Sequence, residues 1–223
     1  MTEHRVSDAS RRPRAFLFDM DGTLVDSLAD IGGSMNHVLA QLRLPEHPIA
    51  AYREMVGEGA GQLVAHALPT DRQALRDDAL ARYRAHYAIH LVAASRPYEG
   101  IVPLLASLSA RGDRIGIVTN KPQAPATAIA DALFARGTFG VVVGEREGVP
   151  RKPDPAPALL AAEALGVPAG DCVFVGDTFI DIRTARAAGM RSVGVLWGFR
   201  DRNELETAGA DHIVTRADEI LAL

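Results

Sequence analysis

The sequence predicts an α/β fold: a parallel sheet covered by helices on both faces, with an all-α cap inserted between its first two strands. Three observations carry this. Short apolar runs recur at residues 15–18, 115–118, 141–143, 173–175 and 193–196, with helix-like segments between the later ones. Continuous apolar strands alternating with helices indicate a sheet buried on both faces. About 95 residues separate the first run from the second without a comparable strand pattern, far beyond the 10–12 or so that a crossover needs. Proline and glycine punctuate that interval at Pro45, Pro48, Gly57 and Pro69, cutting it into helix-sized pieces.

Taken in order, Ala15-Phe16-Leu17-Phe18 is the first strand, and the insert reads as helices over 27–43, 49–55, 60–67 and 71–91. Ser95-Arg96-Pro97-Tyr98-Glu99-Gly100 has the turn chemistry of a linker, and an amphipathic helix over 102–110 leads into the second strand. The expected division is a core formed by residues 1–25 and 97–223 and a cap formed by residues 26–96. Residues 1–13, carrying Arg5, Arg11 and Arg12 interrupted by Glu3 and Asp8, are expected to be a flexible tail.

Composition narrows the function classes. At 223 residues, with 48% hydrophobic and 23% charged residues, the chain can bury a core and has room for a smaller second unit. A net charge of −4 gives no general attraction to nucleic acid or anionic lipid, so phosphate binding would have to be local. No apolar stretch approaches the ~20 residues of a membrane span, and the N-terminus lacks the apolar segment of a secretory signal. The single cysteine, Cys172, lies in the run Cys172-Val173-Phe174-Val175 and reads as a buried thiol. A reducing, cytoplasmic setting is the expectation.

Ligands of open parallel sheets bind beyond the carboxyl ends of the strands. The first polar residues there are Asp19-Met20-Asp21-Gly22-Thr23, Thr119-Asn120-Lys121 and Asp177-Thr178, and the loop after the 141–143 run carries Arg151-Lys152-Pro153. Carboxylates converging in one crevice repel each other, and a hard divalent cation held by oxygen ligands removes that repulsion. Magnesium suits such a site, with Asp19 and Asp177 as natural ligands. Thr119, Asn120 and Lys152 can hold the remaining phosphoryl oxygens by hydrogen bonds and a point charge. The set describes a phosphoryl-transfer site.

Phe18-Asp19-Met20-Asp21-Gly22-Thr23-Leu24, Val118-Thr119-Asn120, Lys152-Pro153 and Gly176-Asp177-Thr178-Phe179-Ile180-Asp181 resemble, in order, the four motifs of the haloacid dehalogenase superfamily. The resemblance spans nearly the whole chain and implies a Rossmann-like core. It implies Asp19 as nucleophile and Asp21 as general acid and base. Magnesium would be held by Asp19, the Asp21 carbonyl and Asp177, and the phosphoryl group by Thr119, Asn120 and Lys152. Asp181, one helical turn from Asp177, would contact Lys152 or metal-bound water. The dehalogenating branch lacks an acid at the position of Asp21, so its presence points to phosphate. Arg96-Pro97-Tyr98-Glu99-Gly100, Thr119-Asn120-Lys121-Pro122, Gly189-Met190 and Val195-Leu196-Trp197-Gly198-Phe199 are similar to phosphoglycolate phosphatases. The implied substrate is 2-phosphoglycolate or a similar small phosphorylated metabolite.

Blander readings stand beside these. His86 and His90 have i, i+4 metal spacing, but nothing nearby completes a ligand set, so a structural role is expected. Gly57-Glu58-Gly59 follows a helix instead of a strand and reads as a cap turn, from which Glu58 and Gly59 are candidates to reach the site. Trp197 reads as core. Two other functions share the motifs: a sugar-phosphate mutase working through the same aspartyl-phosphate, and a non-catalytic phosphate-binding regulator.

Overall fold

The computed structural model describes residues 14–223; the expected tail over 1–13 lies outside the described residues. The strands are β1 (Ala15–Phe18), β2 (Val25–Asp26), β3 (Arg96–Pro97), β4 (Arg114–Pro122), β5 (Val141–Glu145), β6 (Cys172–Gly176), β7 (Arg191–Val195) and β8 (His212–Val214). The α-helices are α1 (Leu28–Gln41), α2 (Ala60–Ala67), α3 (Arg76–Ala88), α4 (Ile101–Ala110), α5 (Gln123–Leu133), α6 (Ala156–Leu165), α7 (Phe179–Ala187) and α8 (Arg202–Ala208).

Six strands form one parallel sheet in the order β5-β4-β1-β6-β7-β8. Strand β1 lies inside it and is wholly buried, which is why its four residues are all apolar. Alternate side chains feed opposite layers, as the two-residue strand period requires. Phe16 and Phe18 pack with Ile101, Leu104 and Leu108 of α4 and Ile129 of α5. Ala15 and Leu17 pack with Ala158, Ala161 and Ala162 of α6 and Ala185 of α7 on the other face. Burial of one such phenylalanine contributes roughly 1.5–3 kcal/mol. Cys172 is buried in the second layer, and burial pushes its thiol up to about 11, so it is unreactive there.

The strand order reverses at β1: the chain runs to β4 and β5 on one side, then to β6, β7 and β8 on the other. That makes the carboxyl end of β1 the switch point where a crevice opens. The sequence pattern missed β8, because its three residues, His212-Ile213-Val214, include only two apolar positions on an edge strand. It also missed the ribbon in which β2 pairs antiparallel with β3, Asp26 opposite Arg96. Two residues per strand carry no readable period.

Between β2 and β3 the chain is helical, as expected, and has its own apolar cluster from Leu28, Met35, Val38, Leu39, Tyr52 and Leu63 among others. Two expected α-helical stretches differ: Ile49–Glu54 and Thr70–Leu75 are 3₁₀ helices, each preceded by a proline at its N-cap. The segment expected to be one helix over 71–91 is therefore a 3₁₀ turn followed by α3. Proline fixes an extended residue before each of these segments, so each starts afresh instead of continuing a preceding helix. Asp30, buried near the start of α1, accepts hydrogen bonds from Ala94 N–H (2.9 Å), Ser95 N–H (2.8 Å) and the Ser95 hydroxyl (2.7 Å), tying the cap's first helix to its returning strand.

Candidate active site

Beyond β1 the Asp19 N–H donates to the Val175 carbonyl of β6 (2.9 Å), and the chain then folds back so that Leu24 and Val25 N–H reach the Met20 carbonyl at 3.0 and 2.9 Å. Gly22 makes the turn possible. Its φ is +86°, and a Cβ there would lie 2.3 Å from Asp177 Oδ2, so both conformation and space demand glycine. The turn is braced from two sides. Thr23 Oγ1 donates to Asp177 Oδ1 (2.9 Å), and Trp197 Nε1 donates to the Thr23 carbonyl (2.9 Å).

Carboxylate oxygens of Asp19, Asp177 and Asp181 lie within 4.8 Å of one another, and all three residues are buried. Lys152, 4% exposed, puts its ammonium 3.0 Å from Asp19 Oδ1 and 2.6 Å from Asp181 Oδ1. One ammonium does not balance three carboxylates. Burial pushes Asp19 up to about 6, against the lowering by Lys152, with Asp181 and Asp21 raising it further. Burial, then Asp181 and Asp19, push Asp177 up to about 8, although Phe199 N–H (2.8 Å) and Thr23 Oγ1 bond to it. Lys152 is raised instead: its two carboxylate partners outweigh its burial. The cluster is thus short of positive charge and made entirely of oxygen donors, which fits a divalent cation. Asp181 owes its position to α7: its Oδ2 accepts from the N–H (3.1 Å) and hydroxyl (2.8 Å) of Thr178, the N-cap.

Asp21 stands apart from that cluster. Its carboxylate takes both contacts of the Lys121 ammonium, at 2.9 and 2.8 Å, and accepts from the Ser27 hydroxyl at 2.6 Å. Lys121 is 7% exposed and its ammonium also lies 4.7 Å from the centroid of the Tyr87 ring on α3, a cation–π contact. Thr119 is buried at the same strand end, and its Oγ1 accepts from Lys121 N–H (3.2 Å), an arrangement that leaves the hydroxyl proton to donate. Asn120 differs from expectation. Its Nδ2 donates to the Lys152 and Gly57 carbonyls (both 3.0 Å) and its Oδ1 accepts from Lys152 N–H (2.9 Å). Both amide donors are therefore engaged, and the side chain braces the Lys152 loop against the cap turn.

A cavity of about 50 Å³ opens above Asp19 and Asp21, closed by Thr119, Asn120, Lys121, Thr178 and Phe199 from the sheet side. The cap covers it with Ile31, Val56, Gly57, Gly59, Ala60, Leu63, Tyr83 and Tyr87. Of the two cap-turn candidates, Gly59 lines the cavity. Glu58 is not among the lining residues, and its carbonyl faces Arg151 Nη1 at 3.5 Å. The cap is held down elsewhere too: Arg200 donates to the carbonyls of Arg53 and Val56, and Arg53 donates to the Gly198 carbonyl. The loop that carries Gly198 and Arg200 also supplies the Phe199 N–H that binds Asp177, so it touches both cap and cluster.

The structure therefore gathers Asp19, Asp177, Asp181 and Lys152 on one side of the crevice and Asp21 and Thr119 beside them. Sequence reasoning did not assign Lys121, Ser27, Phe199, Tyr83 or Tyr87. Lys121 directly follows Thr119-Asn120 in a strand that continues to Pro122, and that adjacency was its available signal. Tyr83 and Tyr87 lie four apart on α3, a spacing that any buried helical stripe shares. His86 and His90 form a stack with His37, ring centroids 4.1 and 4.0 Å apart. Among the described residues the metal-competent cluster is Asp19, Asp177 and Asp181, without histidine.

A family model described as a haloacid dehalogenase-like hydrolase matches residues 13–189. A phosphoglycolate phosphatase of Rhodospirillum rubrum is 41% identical over 206 residues, covering 89% of this chain and 85% of that protein. One from Xanthomonas campestris is 39% identical over 190 residues, covering 85% and 86%. The crystal structure of a candidate phosphoglycolate phosphatase from Lactobacillus delbrueckii subsp. bulgaricus superposes with a TM-score of 0.89 at 29% identity, covering 94% of this chain and 97% of that one. Among the described residues no helix is long and apolar enough to cross a membrane. The chain belongs to the haloacid dehalogenase-like hydrolases, in their phosphoglycolate phosphatase-like branch, and is a phosphoric monoester hydrolase.

Proposed function

We propose that the chain is a magnesium-dependent phosphatase that hydrolyses 2-phosphoglycolate, or a close analogue, through a phosphorylated Asp19. The observation that carries the mechanism is the separation of two kinds of carboxylate. Asp19 sits in the cation-competent cluster with Asp177 and Asp181, whereas Asp21 is held on Lys121 and Ser27. Asp19 attacks phosphorus as the bond to the alkoxide breaks; Asp21, entering this step protonated, gives its proton to the departing alkoxide and then, as the carboxylate held on Lys121 and Ser27, takes one from the water that opens the acyl phosphate. Lys152 and the Thr119 hydroxyl hold phosphoryl oxygens, and Asn120 keeps the Lys152 loop in place. Magnesium, held by Asp19, Asp177 and the Asp21 carbonyl, would supply the charge that screens attacking carboxylate from phosphate. The identity of the substrate is supported by the curated relatives and by a compact cavity that favours a small leaving group.

Residues 26–96 act in this reading as a cap domain on a core of residues 1–25 and 97–223, supported by the separate apolar cluster of the helical insert. A cytoplasmic setting is proposed on the strength of the lone, buried Cys172.

Phosphate release from 2-phosphoglycolate, measured with magnesium and with EDTA, tests the proposal: turnover should require the cation. Free phosphate as the product, in place of an isomerised ester, separates hydrolysis from a mutase. Asp21→Asn should lower kcat by about 10²–10⁴, and a near-normal kcat would remove Asp21 from proton transfer.

Stability gives an independent readout. The folded-state values of about 6 for Asp19 and about 8 for Asp177 both lie above 3.8, so the folded state holds more protons than the unfolded one between about pH 4 and 8. Their contribution is present below pH 4 and is lost as pH rises through that window. EDTA-treated protein should therefore gain more from added magnesium at pH 8 than at pH 5. The gain is about 2.7 kcal/mol at a hundredfold excess over Kd, read as a rise in Tm. Equal shifts at both pH values would separate the cation from these carboxylates.

A further inference from the structure

The cap side of the cavity is chemically sparse. Of its lining residues only Tyr83 and Tyr87 bring polar side chains; the rest are aliphatic or glycine. The Tyr87 hydroxyl is buried without a hydrogen-bond partner, in a residue only 5% exposed. An unpartnered buried hydroxyl is unfavourable in the fold, and native proteins rarely keep one without a use. The ring is also fixed in place. Tyr83 stacks on it with centroids 5.5 Å apart and planes 8° from parallel, and the Lys121 ammonium sits 4.7 Å from its centroid. Among the other polar side chains around the cavity, Asp19 reacts, Asp21 is bound to Lys121, Asn120 is saturated and Thr178 donates to Asp181, while Tyr83, stacked on Tyr87, brings a second hydroxyl beside it.

We propose that Tyr87 is a specificity-determining residue, whose hydroxyl donates a hydrogen bond to the carboxylate of the leaving group once the phosphoryl group is seated on Asp19. This rests on the 2-phospho-acid reading of the substrate. The argument is one of direction and charge. The phosphoryl end is fixed on the sheet side by Lys152 and Thr119, so the ester's other end faces the cap. There the acceptor it carries meets a donor already desolvated and immobilised, with a cation against the same ring. A carboxylate uses that donor fully; an alkyl group leaves it unpaired, and a site built to bond a polar group rejects the analogue lacking it.

Tyr87→Phe removes the hydroxyl and keeps the ring, the stacking and the cation contact. The experiment compares kcat/KM for 2-phosphoglycolate and for ethyl phosphate, which has the same two-carbon chain without the carboxylate, in wild type and Y87F. In the variant the value for 2-phosphoglycolate should fall about tenfold to a hundredfold, the range for a lost hydrogen bond to a charged group. The value for ethyl phosphate should stay within about twofold, and Tm should be unchanged or higher, since an unpaired buried hydroxyl is gone. A Y87F enzyme that keeps the wild-type preference for the acid overturns the role of Tyr87 and leaves the substrate reading standing. An equal fall for both esters also overturns it, by showing that the hydroxyl supports the site in general. Wild-type enzyme that does not distinguish the two esters overturns the substrate reading and this inference together.

Discussion

Asp19→Asn should abolish phosphate release, with a loss on the order of 10⁴–10⁶-fold, as for removal of a covalent nucleophile in other hydrolases. The substitution is nearly isosteric. An amide oxygen can still accept from Met20 N–H, now 2.7 Å from Oδ1, and from Lys152 Nζ at 3.0 Å. What it loses is the negative charge that attacks phosphorus in the proposed reaction and one oxygen donor of the cation-competent cluster. Folding should not suffer in parallel. Burial already pushes the Asp19 carboxyl up to about 6, so holding it ionised at neutral pH costs the fold stability relative to the unfolded chain, and a neutral amide relieves that cost. Tm measured without added cation should be equal or higher while turnover vanishes, which separates chemistry from misfolding. Acid-quenched wild type mixed with substrate should carry one extra phosphoryl group by mass, absent from the variant. Turnover within tenfold of wild type would sink Asp19 as the nucleophile.

The same residue shows what the sequence made legible. Asp19 and Asp177 follow apolar runs that mark strands, because a strand buried on both faces has to be continuously apolar, and Asp181 lies one helical turn beyond Asp177. The switch-point rule then places their carboxylates together. Lys152 was legible as a cation in the loop beyond β5, but no periodicity sets that loop's path, so its contacts with Asp19 and Asp181 were not. Asn120 shows a limit of motif reading: a polar residue beside Thr119 looks like a ligand, and only the contacts to Lys152 and Gly57 reveal a brace. Lys121 and Tyr87 meet across 34 residues of sequence and from opposite sides of the crevice. Their contact depends on how the helical insert folds back over the sheet, and α3 by itself carries no pattern that distinguishes a cavity-lining tyrosine from a core one.

Lys152→Met should be the most damaging single change to the fold in this region. The lysine is buried, bonded to Asp19 and Asp181, and lies 5.5 Å from the centroid of Phe174. Methionine can follow its aliphatic stem over that ring, so the volume is largely kept and the charge alone is removed. Three carboxylates, those of Asp19, Asp177 and Asp181, then share the site with no ammonium. Breaking a buried pair from one side costs about 3–5 kcal/mol, which for a chain of this length lowers Tm by roughly 6–20 °C. The sign with pH follows from the carboxyls. Lys152, raised above its ordinary value, stays charged from pH 5 to 8, so its contribution changes only as its partners ionise. Protonation at pH 5 reduces the repulsion that the variant suffers, and the gap from wild type should narrow there and be widest at pH 8. Added magnesium should close part of the gap at pH 8, because a dication can stand in for the missing ammonium as a counter-charge, yet it should not restore turnover, since Lys152 also holds a phosphoryl oxygen in the proposed reaction. A variant as stable as wild type at pH 8 in EDTA would mean that the carboxylates do not need this ammonium, and the charge deficit argued for the cluster would have to be abandoned.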